Sequence, residues 1–146
     1  MKKLVLPIIA LIFVTLIIAS SYTYDQISPS DTIQESQIII SEDGVYINIE
    51  NATWVSYSNT NSMDPVLDST ANGIEIPVTA STTLEVGDIV SYEAKWNQTL
   101  VSHRIVEISE DEEGVYYILK GDNNSTQDSN KVRFEQIKYK LIAIIY

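Results

Sequence analysis

Ser62, His103, Asp122 and Asp128 are the side chains of this sequence whose types and settings suit nucleophilic or acid–base chemistry. Ser62 falls within Asn59-Thr60-Asn61-Ser62-Met63-Asp64-Pro65. Asn, Thr and Ser bond their own backbone and resist regular structure, and Pro65 biases Asp64 toward an extended conformation. A serine on such a corner can turn its oxygen away from a packed body, although the same composition also describes an ordinary surface loop. Its hydroxyl is a weak nucleophile until a neighbouring base takes the proton. The only histidine, His103, lies in Val101-Ser102-His103-Arg104-Ile105-Val106. An imidazole, with an unperturbed pKa of about 6.5, is the side chain best matched to general-base work near neutral pH, while a lone histidine on a strand is also a common packing residue. A third motif, Lys120-Gly121-Asp122-Asn123-Asn124 followed by Asp128, has the composition of a turn after a strand.

The same segment invites a calcium-loop reading, because Asp122, Asn124, Thr126 and Asp128 fall at alternate positions. It fails at Gln127, where the loop needs glycine for a sharp turn, and at Arg133, where it needs a bidentate glutamate. With no cysteine and one histidine, the chain has no thiolate chemistry, disulfide or multi-histidine metal centre, and no metal or other cofactor is expected. Once Lys2 and Lys3 are set aside, seven basic and twenty acidic side chains leave a balance of −13. Such a body repels nucleic acid and anionic headgroups, so no nucleic-acid partner is expected.

The elements that must hold these motifs follow from the hydropathy pattern. Met1–Lys3 forms a short basic tail before Leu4–Ala19, which carries no charge. Read through to Tyr22, this apolar run spans ~28 Å as a helix, close to the ~30 Å of a bilayer core. It fits a single transmembrane anchor, with Tyr22 and Tyr24 at the interface, and equally a secretory signal with small residues at Ala19 and Ser21. Either way the lysines stay cytoplasmic and the acidic body is exported. Residues 23–36 read as a polar tether. From residue 37 to 146 the pattern is mostly β: a hairpin over Gln37–Glu50, alternation at Ile74, Ile76 and Val78, then runs at Ile89–Glu93, Leu100–Ile108, Val115–Lys120 and Ile137–Tyr146. Strands at this spacing suit a sandwich or barrel.

Taken in order, Ser62-Met63-Asp64-Pro65, Gly87-Asp88-Ile89-Val90, His103-Arg104-Ile105-Val106 and Lys120-Gly121-Asp122-Asn123-Asn124 resemble the conserved blocks of type I signal peptidases. The likeness is to the archaeal and endoplasmic-reticulum branch, which has histidine where bacterial enzymes have a catalytic lysine, and it runs from about Asn59 to the C-terminus. It implies a signal-peptidase-like β-barrel or sandwich behind one N-terminal membrane helix, with the catalytic domain outside the cytoplasm. It further implies a serine endopeptidase that cuts exported preproteins after their signal peptides and reads small side chains near the cut. On this resemblance Ser62 is the nucleophile and His103 its general base. The family's two acids fall on Asp122 and Asp128, with Asp128 the choice for orienting His103. The oxyanion hole would combine the Ser62 N–H with the Thr60 hydroxyl, where relatives carry serine.

Three departures bear on substrate choice. The Ser-Gly that commonly precedes the nucleophile is Thr60-Asn61, and asparagine best replaces glycine where φ is positive. Val66–Glu85 is a longer connection than usual, and a hairpin before the serine block is not typical. A non-catalytic surface module is the rival, and Asn51, Asn97, Asn123 and Asn124 all begin N-glycosylation acceptor triplets that would suit one. A self-cleaving repressor relative fits less well, since those proteins pair serine with lysine in the cytosol.

Overall fold

In the computed structural model, described over residues 27–146 apart from Trp96 and Gln98, the chain is mostly β and arranged as two antiparallel sheets. The first is a hairpin of β1 (Ile38–Ser41) and β2 (Gly44–Ile47). The second contains β3 (Thr53–Ser56), β4 (Asn72–Pro77), β5 (Ile89–Glu93), β6 (Leu100–Asp111), β7 (Gly114–Lys120) and β8 (Ile137–Ile145) in the spatial order β3-β4-β8-β5-β6-β7. Single 3-10 turns at Glu35–Gln37 and Phe134–Gln136 are the helical elements among the described residues. No helix among those residues is long and apolar enough to cross a membrane, and Leu4–Tyr22 lies outside them.

The alternation read from the sequence sets most of these strands, and β5 has the bounds expected of it. β3 is an addition, since Thr53-Trp54-Val55-Ser56 is short and carries no turn signal of its own. Two differences have physical causes. The hairpin pairs as expected, but among the described residues no element covers its apolar side chains, so Ile39, Val45 and Tyr46 are exposed and Ile40 keeps 80% of its surface. In β4 the buried positions are Gly73 and Glu75, while Ile74 and Ile76 are only half-buried, because the crowded face belongs to the small and polar residues.

Both faces of the larger sheet are covered, which is why β5 is closed on each side. Val90 and Tyr92 join Val101, Ile105, Tyr117, Leu119, Val132 and Ile137 on one face. Ile89 and Leu141 meet Met63 and Leu67 on the other. Each large apolar side chain removed from water in this way contributes about 1.5–3 kcal/mol before entropy is counted. The second cluster matters most for the site, because Met63 and Leu67 flank the turn that carries Ser62.

The polar stretch ahead of the hairpin is not free where it is described. Ser30 donates from its N–H and its hydroxyl to Asp88 Oδ1, both at 2.8 Å. Asp88 is fully buried and also meets Lys140 Nζ at 2.9 Å and the Glu85 N–H at 2.9 Å. A Cβ at Gly87, whose φ is +105°, would collide with the Ser28 carbonyl, so glycine there admits the incoming chain. The tether is thus pinned to the body at Ser30.

Burial alone would push the Asp88 carboxyl up, but the bonds from the Glu85 N–H, Lys140 and Ser30 outweigh it and hold the group below its usual range. A depressed acid stabilises the fold above its unfolded value of about 3.9. That contribution is lost as pH falls through the lower folded value. We predict that Lys140→Met, which strands Asp88, costs about 3–5 kcal/mol in urea unfolding at neutral pH. The loss shrinks in acid as Asp88 takes up a proton, and Asp88→Asn with Lys140→Met recovers much of it. A cost under about 1 kcal/mol, the range of exposed pairs, counts against this account.

Candidate active site

Met63 is the peg of the serine corner. It is buried against Leu67, Ile89 and Leu141, which leaves its neighbour Ser62 half-buried at the surface. Asn61 takes φ +61°, the left-handed conformation that asparagine tolerates best among non-glycine residues. The Asp64–Pro65 peptide is cis. The corner is then tied to the turn after β7. Asn123 donates its N–H to the Ser62 carbonyl at 2.9 Å and its side-chain amide to the Asn61 carbonyl at 2.9 Å. The Asp122 N–H reaches Met63 Sδ at 3.4 Å. Gly121 makes the approach possible, because a Cβ there would stand 2.5 Å from the Ser62 carbonyl oxygen and 2.7 Å from Asn124 Nδ2.

The other end of that turn is fixed by the Asp128 N–H, which donates to the Leu119 carbonyl at 2.8 Å. From there Asp128 Oδ2 meets His103 Nδ1 at 2.8 Å and accepts the Tyr92 hydroxyl at 2.6 Å. His103 is 3% exposed, and its ring lies 6.4 Å from that of Tyr92. A carboxylate on Nδ1 keeps the proton on that nitrogen and leaves Nε2 with a free lone pair, the tautomer a base requires. Burial, followed by the bond and charge of Asp128, pushes the Tyr92 phenol up, so it stays a donor to the carboxylate.

Asp122 has a different partner. It receives a two-point clamp from Arg104, at 2.8 Å from Nε and 2.7 Å from a terminal nitrogen, and Arg104 also donates to the Gly87 carbonyl at 2.7 Å. The two aspartates of the third motif therefore diverge, Asp128 toward the histidine and Asp122 toward the arginine. That divergence also rules out their joint use in a calcium loop, and no group of three or more metal-binding side chains occurs among the described residues.

Ser62, Thr60, His103 and Asp128 line one cavity of about 540 Å³. Ser62 Oγ shares a hydrogen bond with Thr60 Oγ1 at 3.1 Å, and none joins it to His103. Among the described residues nothing accepts the Ser62 N–H. The cavity rim is formed by Thr53–Ser58, which includes all of β3, and by Thr99–Val101 at the start of β6. β3 is an edge of the sheet, paired with β4 on one side and, among the described residues, with no strand on the other. The structure thus gathers Ser62, Thr60, His103 and Asp128 and holds Asp122 beside them as part of the support.

Sequence reasoning had no means of finding Tyr92, the Arg104 clamp or Glu75, which also lines the cavity. Tyr92 and Glu75 stand in ordinary alternating strands, and only the arginine next to His103 carried any local signal. No family model, curated protein or solved structure matches the chain.

The corner gives its own test. Asn61→Val forces a β-branched residue into left-handed backbone and is expected to cost about 1–3 kcal/mol, whereas Asn61→Gly is close to neutral. Gly121→Ala is expected to cost a further about 1–3 kcal/mol through overpacking against the Ser62 carbonyl. Urea unfolding measures both, and loss of hydrogen-exchange protection at the Asn123 N–H localises the damage.

Proposed function

We propose that this chain is a membrane-anchored serine endopeptidase of the signal-peptidase-like type, removing signal peptides from exported preproteins. The observation that carries the reading is the His103 Nδ1–Asp128 Oδ2 pair at 2.8 Å within the cavity that Ser62 also lines. On this proposal the six-stranded sheet is the framework of a signal-peptidase-like β domain, and Leu4–Tyr22 anchors it with the lysines cytoplasmic and the cavity outside.

Each step has a residue to perform it. Nε2 of His103 takes the Ser62 proton as Oγ attacks the scissile carbonyl, which requires Ser62 to exchange its bond with Thr60 for one with the histidine. Hydrogen bonds of this kind commonly tighten only when substrate is bound. Asp128, steadied by the Tyr92 hydroxyl, holds the imidazole and offsets its charge once protonated. The free Ser62 N–H and the Thr60 hydroxyl donate to the oxyanion of the tetrahedral intermediate. The imidazolium then protonates the leaving amine, and water, activated by the same base, hydrolyses the acyl-enzyme. Substrate pairs as an extended strand with the open edge of β3, where main-chain bonds supply affinity and pockets supply choice.

One observation favours the rival, a non-catalytic surface module. Asn124 begins a glycosylation triplet and lines the cavity, so a glycan there would obstruct it. Glycan mapping on protein from its native membrane separates the two, because an occupied Asn124 supports the module.

Ser62→Ala and His103→Ala are each expected to lower cleavage of a preprotein by about 10⁴-fold or more. Asp128→Asn should cost about 10⁴-fold with the fold intact. Cleavage by the Ser62→Ala variant at the wild-type rate ends the peptidase reading.

A further inference from the structure

Glu75 is 4% exposed, yet among the described residues it pairs with no cation. The other buried charges pair with an opposite one: Asp88 with Lys140, Arg104 with Asp122, and His103 with Asp128. Glu75 has only hydroxyls. Ser91 Oγ donates to its Oε1 at 2.7 Å, and the Tyr57 hydroxyl donates to the same oxygen at 3.5 Å. Because Ser91 gives its proton to Glu75, it accepts the Ser102 hydroxyl, 2.8 Å away. Among the described residues Oε2 has no partner, and it is not among the fully enclosed unpartnered atoms. Glu75, Ser91, Ser102 and Tyr57 all line the cavity that contains Ser62 and His103.

A buried carboxylate without a counter-charge is costly, and such groups are normally paired. Burial pushes the Glu75 carboxyl up against the opposing bonds from Ser91 and Tyr57, which do not fully offset the missing water. Nothing in the fold needs an acid here, because a neutral amide would satisfy both hydroxyl donors. An incoming cation supplies what the site lacks. The apolar lining from Met63, Leu67 and Val101 suits the aliphatic stem of a lysine or arginine, with the charged head at Oε2. The −13 balance of the body beyond Lys3 draws cationic substrates toward the cavity.

We propose that Glu75, with Ser91, Ser102 and Tyr57, forms a subsite that takes a basic side chain of the bound peptide, in addition to the small residues next to the cut. The proposal rests on the peptidase reading for its substrate, but its charge preference is measurable without turnover.

The test uses the full chain in detergent micelles and matched peptides that carry lysine or its acetylated, uncharged analogue at each position near the scissile bond. At one position the wild type is expected to cleave the lysine peptide with kcat/KM roughly tenfold or more above the acetyl-lysine peptide. Glu75→Gln is expected to bring that ratio close to one. In the Ser62→Ala background, fluorescence anisotropy should show the same preference in Kd, removed by adding Glu75→Gln. Cleavage with no preference for lysine at any position, or with a preference that survives Glu75→Gln, overturns the subsite and leaves the peptidase standing. Absent cleavage with Glu75-dependent lysine binding overturns the peptidase and leaves the subsite. Absent cleavage and absent binding overturn both. The wild-type comparison of lysine with acetyl-lysine holds even if Glu75→Gln fails to fold.

Discussion

The contact between the Ser62 carbonyl and the Asn123 N–H, at 2.9 Å across a glycine with no side chain to intervene, is the constraint on which the site depends. It joins two irregular segments, neither of which has a sheet ladder to hold it. Met63 supplies the apolar side of the joint and Asn61 supplies the backbone turn that aims Ser62 outward. Arg104 holds the same turn from behind through Asp122, so one residue of β6 supports the serine corner while its neighbour, His103, faces Asp128. Register along one strand thereby fixes the relation between an expected base and the loop that carries its acid.

Buried charge is the second theme of the fold. Each ionised group removed from water costs several kcal/mol unless it is paired and bonded. Asp88 with Lys140 and Asp122 with Arg104 meet that requirement and act as staples, one on the incoming N-terminal stretch and one under the site. The His103–Asp128 pair borders the cavity, and the Tyr92 hydroxyl supplies a further bond that holds the carboxylate in place. Glu75 stands apart with hydroxyl partners alone. An unpaired buried acid on the wall of a cavity is poor design for stability and good design for recognising a cation.

The edges of the molecule follow a similar division. β3 ends the large sheet, paired on one side with β4 and, among the described residues, with no strand on the other, and it borders the cavity. Among the described residues the β1–β2 hairpin pairs only with itself and leaves a run of isoleucine, valine and tyrosine exposed. Alternation reports which residues share a face, and burial depends on whether another element arrives to cover it.

Local order was legible from the chain: period-two alternation set β5, β6, β7 and β8 within a residue or a few, because strand sterics and turn chemistry act over neighbouring positions. The residue types also singled out Ser62, His103, Asp122 and Asp128, the family resemblance added Thr60, and the positive φ at Asn61 is one that asparagine tolerates. The resemblance favoured Asp128 for orienting His103, but the sequence could not separate it from Asp122, since both lie in one turn and only the path of that turn past Tyr92 and Arg104 separates them. The same holds for Tyr92 and Glu75, whose partners lie 36 and 16 positions away. Periodicity put Ile74 and Ile76 on one face of β4, but packing closed off Glu75 on the other. Sequence specifies what each residue is able to do. Long-range packing decides which groups lose their water, and with it whether a charge needs a partner.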